Sequence, residues 1–466
     1  MEIGTSSTTN NIGVAPTIPQ DIVNNNNHNN NSSNNSSNNN SISSSPTDSS
    51  QLMNGEQSTS PPSPPIEEVL EEEPRNLLIS LLSELKIGVD LSRVPLPTFI
   101  LEPRSLLEKF TDNMIHGEIL CNLSKLESPM DRMHLITKWY LSAFHYRKKG
   151  LQKPYNPILG EIFRTRWEFK ETNSNCIMVA EQISHHPPVS CIYLSNRKDG
   201  YTMTGTINPR SKFLGNSMAV IVDGSSTLTL LGLQEEYVIT FPTAVARGII
   251  FGTLLTEIVG NSTISCKQTN IKVEMDFKAK PMFGGEYNVV CGKIKKGNET
   301  THTFNGKWDK KVEITLSSSS SSSKKKNGST NDILWDCNDA VKTQMITRQI
   351  SEQEEFESQR LWQKVSHAII KKNQKDATFE KNKLEDEQRK RVKDRKENNI
   401  EWEPRLFKKV NDQWIYKYQN HTLYDQNEPK EIETDGIIHF EGTLIKKESK
   451  QNLVEKCGAS ENEIIV

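Results

Sequence analysis

The sequence lacks the features that mark secreted, zinc-binding and membrane-spanning proteins. Its seven cysteines are odd in number and widely spaced, and no two form a CxxC pair, so neither a disulfide framework nor a zinc ribbon is indicated. The chain does not open with a basic segment followed by an apolar core, which argues against a signal peptide. The most apolar window, 243–255, spans about 13 residues and contains Arg247, so it is too short and too charged to cross a bilayer. The sequence therefore predicts a soluble, cytoplasmic protein.

Basic residues are missing from the first part of the chain. Up to Glu73 there are nine acidic residues and no Lys or Arg, and residues 24–40 are almost entirely Asn and Ser. Such a segment buries too little apolar surface to offset the entropy lost on ordering, so 1–74 is predicted to be disordered. Of the 59 acidic residues, 50 then remain against 57 basic ones, a balance of +7. This charge is too small to indicate a nucleic-acid partner, but it suits contact with an anionic membrane surface.

Helical periodicity predicts three helices on the N-terminal side of the ordered chain, over 76–85, 105–115 and 128–146. The third opens with Ser128 as its N-cap and Pro129 at its first helical position. Between the first two helices, prolines exclude a helix and make 91–102 extended.

From about residue 155 to residue 314 the pattern changes to short β-branched and aromatic segments separated by turn signals. About ten strands at this spacing predict a meandering antiparallel sheet that closes as a barrel. A run of Ser and Lys, 317–328, interrupts this region and is predicted to be a surface insertion. Helical stretches are expected over 339–368 and 371–399, followed by an aromatic-rich tail over 402–424.

The string EQISHHPPVS (181–190) is the most unusual in the chain. A metal site would need both histidines on one ion, yet adjacent side chains on an extended segment point to opposite faces, and the spacing matches no known zinc pattern. General acid–base catalysis, with Glu181 as the orienting residue, would need a nucleophile or a recognisable substrate site, and the string provides neither. Imidazole N–H groups could instead donate to a phosphate. Taken alone, the string is better explained as a hydrogen-bonded His pair at a buried strand end.

Two further strings also have ordinary explanations. In KPYNPILGE (153–161), two prolines and a glycine favour a loop that presents Lys153 and Asn156. In KNKLEDEQR (381–389), three charged residues recur every fourth position and can form an ion-pair ladder on one helical face: Lys381, Glu385 and Arg389. A solvated charged face usually accounts for such a pattern.

Together these strings resemble the oxysterol-binding-protein-related family of lipid-transfer proteins. The matching motifs occur in family order: LSRVPLPTFILEPRS (91–105), KPYNPILGE, EQISHHPPVS, KFLGNS (212–217), FNGKWD (304–309), the KxxxExxxR helix and EWEPRLF (401–407). The resemblance covers roughly 76–425. The Asn-rich N-terminus and the Ser–Lys insertion depart from the family pattern but interrupt none of its motifs.

The resemblance implies a mixed, mainly β fold: a large incomplete antiparallel β-barrel enclosing a hydrophobic tunnel, with N-terminal helices, a lid and a C-terminal helical subdomain. A lipid-binding domain is then expected over 75–428, followed by a C-terminal extension over 429–466. Within the domain we expect four parts: a lid (76–101), the barrel (about 150–316), the insertion (317–328) and the C-terminal subdomain (333–428). The chain is expected to be a short member built on this domain alone.

By resemblance, the phosphoinositide head group would contact seven residues: Lys153, Asn156, His185, His186, Lys381, Glu385 and Arg389. Lys153 and Asn156 would reach the head group or the glycerol phosphate, and the two histidines would bind the 4-phosphate. Leu96 and Ile100 are weaker candidates for contact with the lipid near the mouth. The resemblance implies no metal, no cofactor and no catalytic residue.

The family resemblance implies a non-enzymatic protein that carries one lipid at a time and exchanges phosphatidylinositol 4-phosphate for a second lipid between membranes. The arm 91–105 is more similar to the subgroup that carries phosphatidylserine than to the shorter sterol-binding members, and both cargoes remain open. A lipid sensor, which binds its ligand without net transport, is the main alternative; a hydrolase using His185 or His186 is the other. The expected partners are these lipids and anionic membranes, contacted transiently and peripherally. The sequence identifies neither a protein tether nor the membranes served.

Overall fold

The computed structural model describes residues 79–80, 82, 85–89, 91, 96–145, 153–249, 255–281, 283–317 and 332–425. The predicted disordered segment 1–74, much of the predicted lid 76–101, nearly all of the insertion 317–328 and the extension 429–466 lie outside these residues. Among the helices described, none combines the length and the apolar character needed to cross a membrane.

Five α-helices lie wholly within the described residues: α1 (Leu106–Lys109), α2 (Pro129–His145), α3 (Ser358–Leu361), α4 (Gln363–Ile370) and α5 (Gln374–Glu397). A capping box starts α1, because the Ser105 hydroxyl accepts a backbone N–H while Glu108 reaches back to the backbone of Ser105. The hydroxyl of Ser128 accepts the backbone N–H of Asp131 at 3.3 Å, so the predicted start of α2 is confirmed. Short 3-10 turns cover Thr98–Ile100, Phe110–Met114, Gly117–Leu120, Leu123–Lys125, Cys337–Asp339 and Ile350–Glu352.

The strands make up most of the structure. They are β1 (Leu101–Ser105), β2 (Lys153–Tyr155), β3 (Ile162–Phe169), β4 (Ser174–His185), β5 (Pro188–Asn196), β6 (Tyr201–Phe213), β7 (Ser217–Leu230), β8 (Glu235–Ile239), β9 (Thr243–Arg247), β10 (Leu255–Cys266), β11 (Ile271–Lys278), β12 (Val289–Lys296), β13 (Glu299–Lys307), β14 (Lys311–Leu316), β15 (Asp332–Asp336), β16 (Met345–Ile346), β17 (Phe407–Val410) and β18 (Gln413–Tyr416).

Fourteen of these strands, β3 to β16, form one antiparallel sheet. Its order is β15-β14-β13-β12-β11-β10-β8-β7-β6-β5-β4-β3-β16, and β9 pairs with both β10 and β7. The chain thus meanders from one strand to its neighbour, as short turns between antiparallel strands allow. The prediction of a large, mainly antiparallel β fold with flanking helices is confirmed. β1 and β2 form a separate parallel pair, and β17 and β18 a hairpin.

Helix α2 packs its aromatic face into the core of the sheet. Phe144 lies 5.0 Å from the ring of Phe277 and 6.2 Å from that of Trp308, and Tyr140 shares a 2.7 Å hydrogen bond with Ser262. The four aromatic residues belong to the largest apolar cluster of the described residues. Burial of this face accounts for a long helix within a mainly β fold.

Two details differ from the sequence prediction. The region predicted to hold about ten strands contains twelve in the described residues, β3 to β14. The helix expected over 339–368 begins only at Ser358, after a turn and the short strand β16. Glu357 forms ion pairs with Arg164 of β3 and with Arg348, and the backbone N–H of Ile162 donates to Phe356 at 2.9 Å. These contacts hold the segment against the sheet in a non-helical conformation.

The Ser–Lys insertion falls between two paired strands. β14 pairs with β15 from Lys311 opposite Asp336 to Ile314 opposite Asp332. We expect deletion of 317–328 to shift the unfolding free energy by less than about 1 kcal/mol and to leave lipid binding intact, because shortening a hairpin connection changes little besides its closure entropy. Chemical denaturation of the deletion variant measures this. Loss of the folded protein would show that the segment packs against the domain.

Candidate functional site

The predicted site residues come from three segments that the fold brings together: β2 with the loop after it, the end of β4, and the middle of α5. β2 pairs in parallel with β1, Lys153 standing opposite Leu101. Behind Lys153, Tyr155 is buried and stacks on Trp362 with ring centres 4.6 Å apart. Lys153 and Asn156 are both partly buried at the ends of this short strand.

His185 is the last residue of β4, and His186 begins the two-residue turn into β5, which contains a cis peptide bond before Pro187. The two imidazole rings lie edge to face with centres 4.5 Å apart. The expectation that they point to opposite faces is therefore wrong, because the strand ends at His185 and the turn redirects His186. The described residues nevertheless contain no group of three or more potential metal ligands.

The β4 end is tied to the loop by hydrogen bonds of His185 and of the Gln182 backbone, which exchanges bonds with Gly160 and Glu161 at 2.9 Å. His185 Nδ1 lies 3.3 Å from the carbonyl oxygen of Pro157, and since a carbonyl only accepts, Nδ1 carries the hydrogen. Burial lowers the pKa of His185, and the neighbouring His186 lowers it further. His186 itself is exposed and can reach a ligand from solvent.

Helix α5 carries the predicted ion-pair ladder. Lys381 Nζ lies 2.7 Å from Glu385 Oε1, and Arg389 lies 3.6 Å from Glu385 Oε2 and pairs more closely with Asp386. The Lys381 side chain is largely buried and that of Arg389 largely exposed, at 14% and 67%. The ladder therefore runs from the interior to the surface.

The charges of the three segments act on one another. Burial lowers the pKa of Lys153 to about 8, the positive charge of Lys381 contributes in the same direction, and Glu385 opposes them. At His185, Glu385 raises the pKa and Arg389 lowers it. Three cations and two imidazoles thus gather where the charge of Glu385 is already shared, an arrangement suited to an anionic ligand.

An apolar cluster adjoins this charged group. Leu82, Leu91, Ile100, Ile158 and Trp362 are buried within it, and Leu96 packs against it. Ile100 is 1% exposed, so it packs as a core residue. Contact of Leu96 and Ile100 with a lipid stays a prediction.

Comparison with known proteins places this arrangement in a family. The model of the oxysterol-binding proteins matches residues 80–428. The chain belongs to the oxysterol-binding protein family. It is 43% identical to mouse oxysterol-binding protein-related protein 5 over 380 residues, 80% of this chain and 42% of that protein. It is 37% identical to an oxysterol-binding protein homolog of Schizosaccharomyces pombe, over 74% of this chain and 72% of the relative. The chain thus spans less than half the length of the mammalian relative.

Solved structures share the fold of this oxysterol-binding family member. The ORD domain of Osh1 in complex with cholesterol superposes with a TM-score of 0.63 at 23% identity, covering 77% of this chain and 92% of that domain. The Osh3 ORD from Saccharomyces cerevisiae, in complex with PI(4)P, gives 0.57 at 22% identity, covering 74% and 91%. At this identity the likeness establishes the fold.

Sequence reasoning missed two residues that hold the site of this family member together. The buried Gln388 of α5 accepts the backbone N–H of Leu159 at 2.8 Å, which ties the helix to the loop. Glu161, fully buried, accepts from the hydroxyl of Ser358 at 2.7 Å and from the indole of Trp362 at 2.8 Å. Glu161 lies inside KPYNPILGE, and an acidic residue that ends an otherwise apolar and proline-rich string was the available signal.

Proposed function

We propose that this chain is a lipid-transfer protein that binds one lipid at a time and exchanges phosphatidylinositol 4-phosphate for a second lipid between membranes, without chemical change to either. The observation that carries the proposal is the convergence of Lys153, the His185–His186 pair and the α5 ladder beside an apolar cluster. A phosphoinositide needs a cationic surface and an apolar surface together, because its phosphate carries a concentrated negative charge and its acyl chains are insoluble. Related folds in complex with cholesterol and with PI(4)P support the two classes of cargo.

The site residues would have different roles that follow from their chemistry. The ammonium groups of Lys153 and Lys381 and the guanidinium of Arg389 would neutralise the phosphate, while the imidazoles and the Asn156 amide would donate directed hydrogen bonds. Glu385 would orient both cations of its helix and accept from an inositol hydroxyl. Each methylene kept from water is worth about 0.8 kcal/mol, so the acyl chains require an enclosed apolar interior during transit.

The domain 75–428 would act as one unit, with 76–101 as the lid over the bound chains. The mildly basic remainder of the chain, +7 beyond Glu73, would draw it transiently to anionic membranes. Phosphatidylserine is our first candidate for the second lipid, on the similarity of the arm 91–105, and sterol is the second candidate.

Lipid capture and exchange assays test the proposal. Purified full-length protein is incubated with liposomes that contain phosphatidylinositol 4-phosphate, phosphatidylserine and sterol, re-isolated, and its bound lipids identified by mass spectrometry. We expect the phosphoinositide and one of the other two lipids, and substoichiometric protein should then exchange them between two liposome populations. Binding without turnover would favour the sensor, a chemically altered lipid would favour the hydrolase, and an empty protein would contradict the proposal.

The head-group affinity should depend on pH through Lys153. Its pKa of about 8 means that the free protein presents an ammonium below this pH and a neutral amine above it. Because an anionic phosphate favours the ammonium, the affinity should be full below about pH 8 and fall above it, by up to about tenfold per pH unit. Binding to phosphoinositide liposomes at pH 7 to 9.5 measures this. Lys153→Met should bind more weakly with a flatter profile, and a flat wild-type profile would count against the role of Lys153.

A further inference from the structure

Trp402, in the tail that follows α5, touches β4, the loop after β2 and the C-terminal part of α5. Its indole Nε1 donates to the carbonyl oxygen of Ile183 at 3.1 Å, two residues before His185 in β4. The guanidinium of Arg395, near the end of α5, lies over its ring at 5.3 Å from the centre. The third contact is with Gly160, in the loop that follows β2.

The contact with Gly160 leaves no space for a side chain. A Cβ placed at Gly160 would lie 2.7 Å from Cη2 of Trp402, and the residue has φ of +82°, a conformation that L side chains rarely adopt. The indole therefore packs directly on the backbone of the loop. The distance from Trp402 to the loop depends on glycine at this position.

The tail is anchored independently of these contacts. The buried carboxylate of Glu181, at the start of EQISHHPPVS, accepts the backbone N–H groups of Arg405 at 2.7 Å and of Leu406 at 2.8 Å. Leu406 and Phe407 are buried against Ile162 and Tyr193 of the sheet. The segment that follows Trp402 is thus fixed to the sheet. A residue that sets the position of other segments needs such an anchor.

Charge repulsion acts between two of the segments. Lys153 and Lys381 repel each other, and the carboxylate of Glu385 offsets part of this repulsion. Hydrogen bonds also join these segments directly: His185 donates to the carbonyl of Pro157, Gln182 exchanges backbone hydrogen bonds with Gly160 and Glu161, and Leu159 donates to Gln388. The indole of Trp402 contacts β4, the loop and α5, so it counters this repulsion. It thereby lowers the entropy that ligand binding would otherwise lose in ordering these segments.

We propose that Trp402 is a positioning residue that holds the β2 loop, the end of β4 and α5 in the register needed to bind a phosphorylated head group, and so sets the preference for phosphoinositide over the second lipid. This inference rests on the proposed function and adds to it a determinant of cargo selectivity outside the head-group contacts. Trp402 touches no ligand in this scheme. Its effect passes through the positions of Lys153, His185 and Arg389.

The test compares the two cargoes in the full-length protein. Trp402→Ala should lower extraction of phosphatidylinositol 4-phosphate from liposomes by about tenfold to a hundredfold, as expected for loss of a supporting residue. Extraction of phosphatidylserine or sterol, whichever the wild type takes up, should change by less than about threefold, because those cargoes lack the phosphomonoester that needs all three segments. The ratio of the two cargoes is the readout, since a general loss of stability would lower both together.

Three further variants make the test specific. Trp402→Phe keeps a ring between Gly160 and Arg395 but loses the bond to Ile183, so an intermediate ratio is expected. Gly160→Ala should reproduce the selective loss by displacing the ring. Trp414→Phe changes an indole of β18, which packs on the neighbouring apolar cluster, and should leave the ratio unchanged.

The outcomes separate the two proposals. A wild-type protein that extracts no phosphoinositide contradicts the proposed function itself. A wild-type protein that does so, together with a Trp402→Phe or Gly160→Ala protein of unchanged cargo ratio, overturns the role of Trp402 alone. An equal fall for both cargoes, with a lowered unfolding temperature, assigns Trp402 a purely structural role and also overturns the proposal.

Discussion

Replacing both His185 and His186 by alanine should reduce phosphoinositide extraction by about a hundredfold or more while the second lipid is still taken up. Each hydrogen bond to a charged group contributes about 1.5–3 kcal/mol, so two of them account for at least this factor. The sterol hydroxyl needs no such donors, whereas phosphatidylserine uptake would fall in part. The fold should tolerate the change, because His186 is exposed and His185 has one hydrogen bond to Pro157.

The measurement is lipid extraction from liposomes by the full-length double variant, alongside its unfolding temperature. A second histidine pair provides the matched control: His134 of α2 and His302 of β13 also meet edge to face, with ring centres 4.6 Å apart. These two line a different cleft, formed with β14 and β15. The double alanine variant of that pair should retain phosphoinositide extraction. Normal extraction by the His185 and His186 variant would remove the central claim about the head group.

Replacing Glu161 by alanine should destabilise the protein by about 3–5 kcal/mol, because four buried donors lose their acceptor and each buried donor left without a partner costs about 1–3 kcal/mol. One carboxylate oxygen accepts the hydroxyls of Ser105 and Ser358, and the other accepts the Ile158 N–H and the Trp362 indole. These donors come from the end of β1, the β2 loop and the C-terminal helices. Their loss would loosen the loop that presents Lys153 and Asn156.

Denaturant unfolding of the two forms measures this effect, and Glu161→Gln supplies the graded comparison. In the glutamine variant the amide nitrogen can face the two serine hydroxyls, which rotate to accept from it, while the amide oxygen keeps the N–H donors. We therefore expect most of the stability to return. An alanine variant with the wild-type unfolding midpoint would show that water replaces the carboxylate at no cost. Unlike the double histidine variant, the Glu161→Ala protein is expected to lose extraction of both cargoes together as it unfolds.

Local features of this molecule could be read from the sequence. Ser128 and Pro129 predict the start of α2, because capping depends on residues within one turn. The spacing of Lys381, Glu385 and Arg389 predicts their ladder, because residues four apart on a helix are neighbours wherever the helix lies. The turn-punctuated alternation between 155 and 314 predicts an antiparallel sheet for the same local reason.

The tertiary structure decided what these elements do together. The segment 339–357 has helical composition but forms no α-helix, because the buried ion pairs of Glu357 with Arg164 of β3 and with Arg348 outweigh local preference. Trp402 meets Gly160 and Ile183 only in the folded chain, and nothing in the spacing of the three residues predicts that contact. Helix caps and the ion-pair ladder depend on residues within a few positions of one another, so the sequence predicts them. Contacts between distant residues depend on the path of the whole sheet: His185 meets Pro157 across 28 positions, and Leu159 meets Gln388 of α5 across 229.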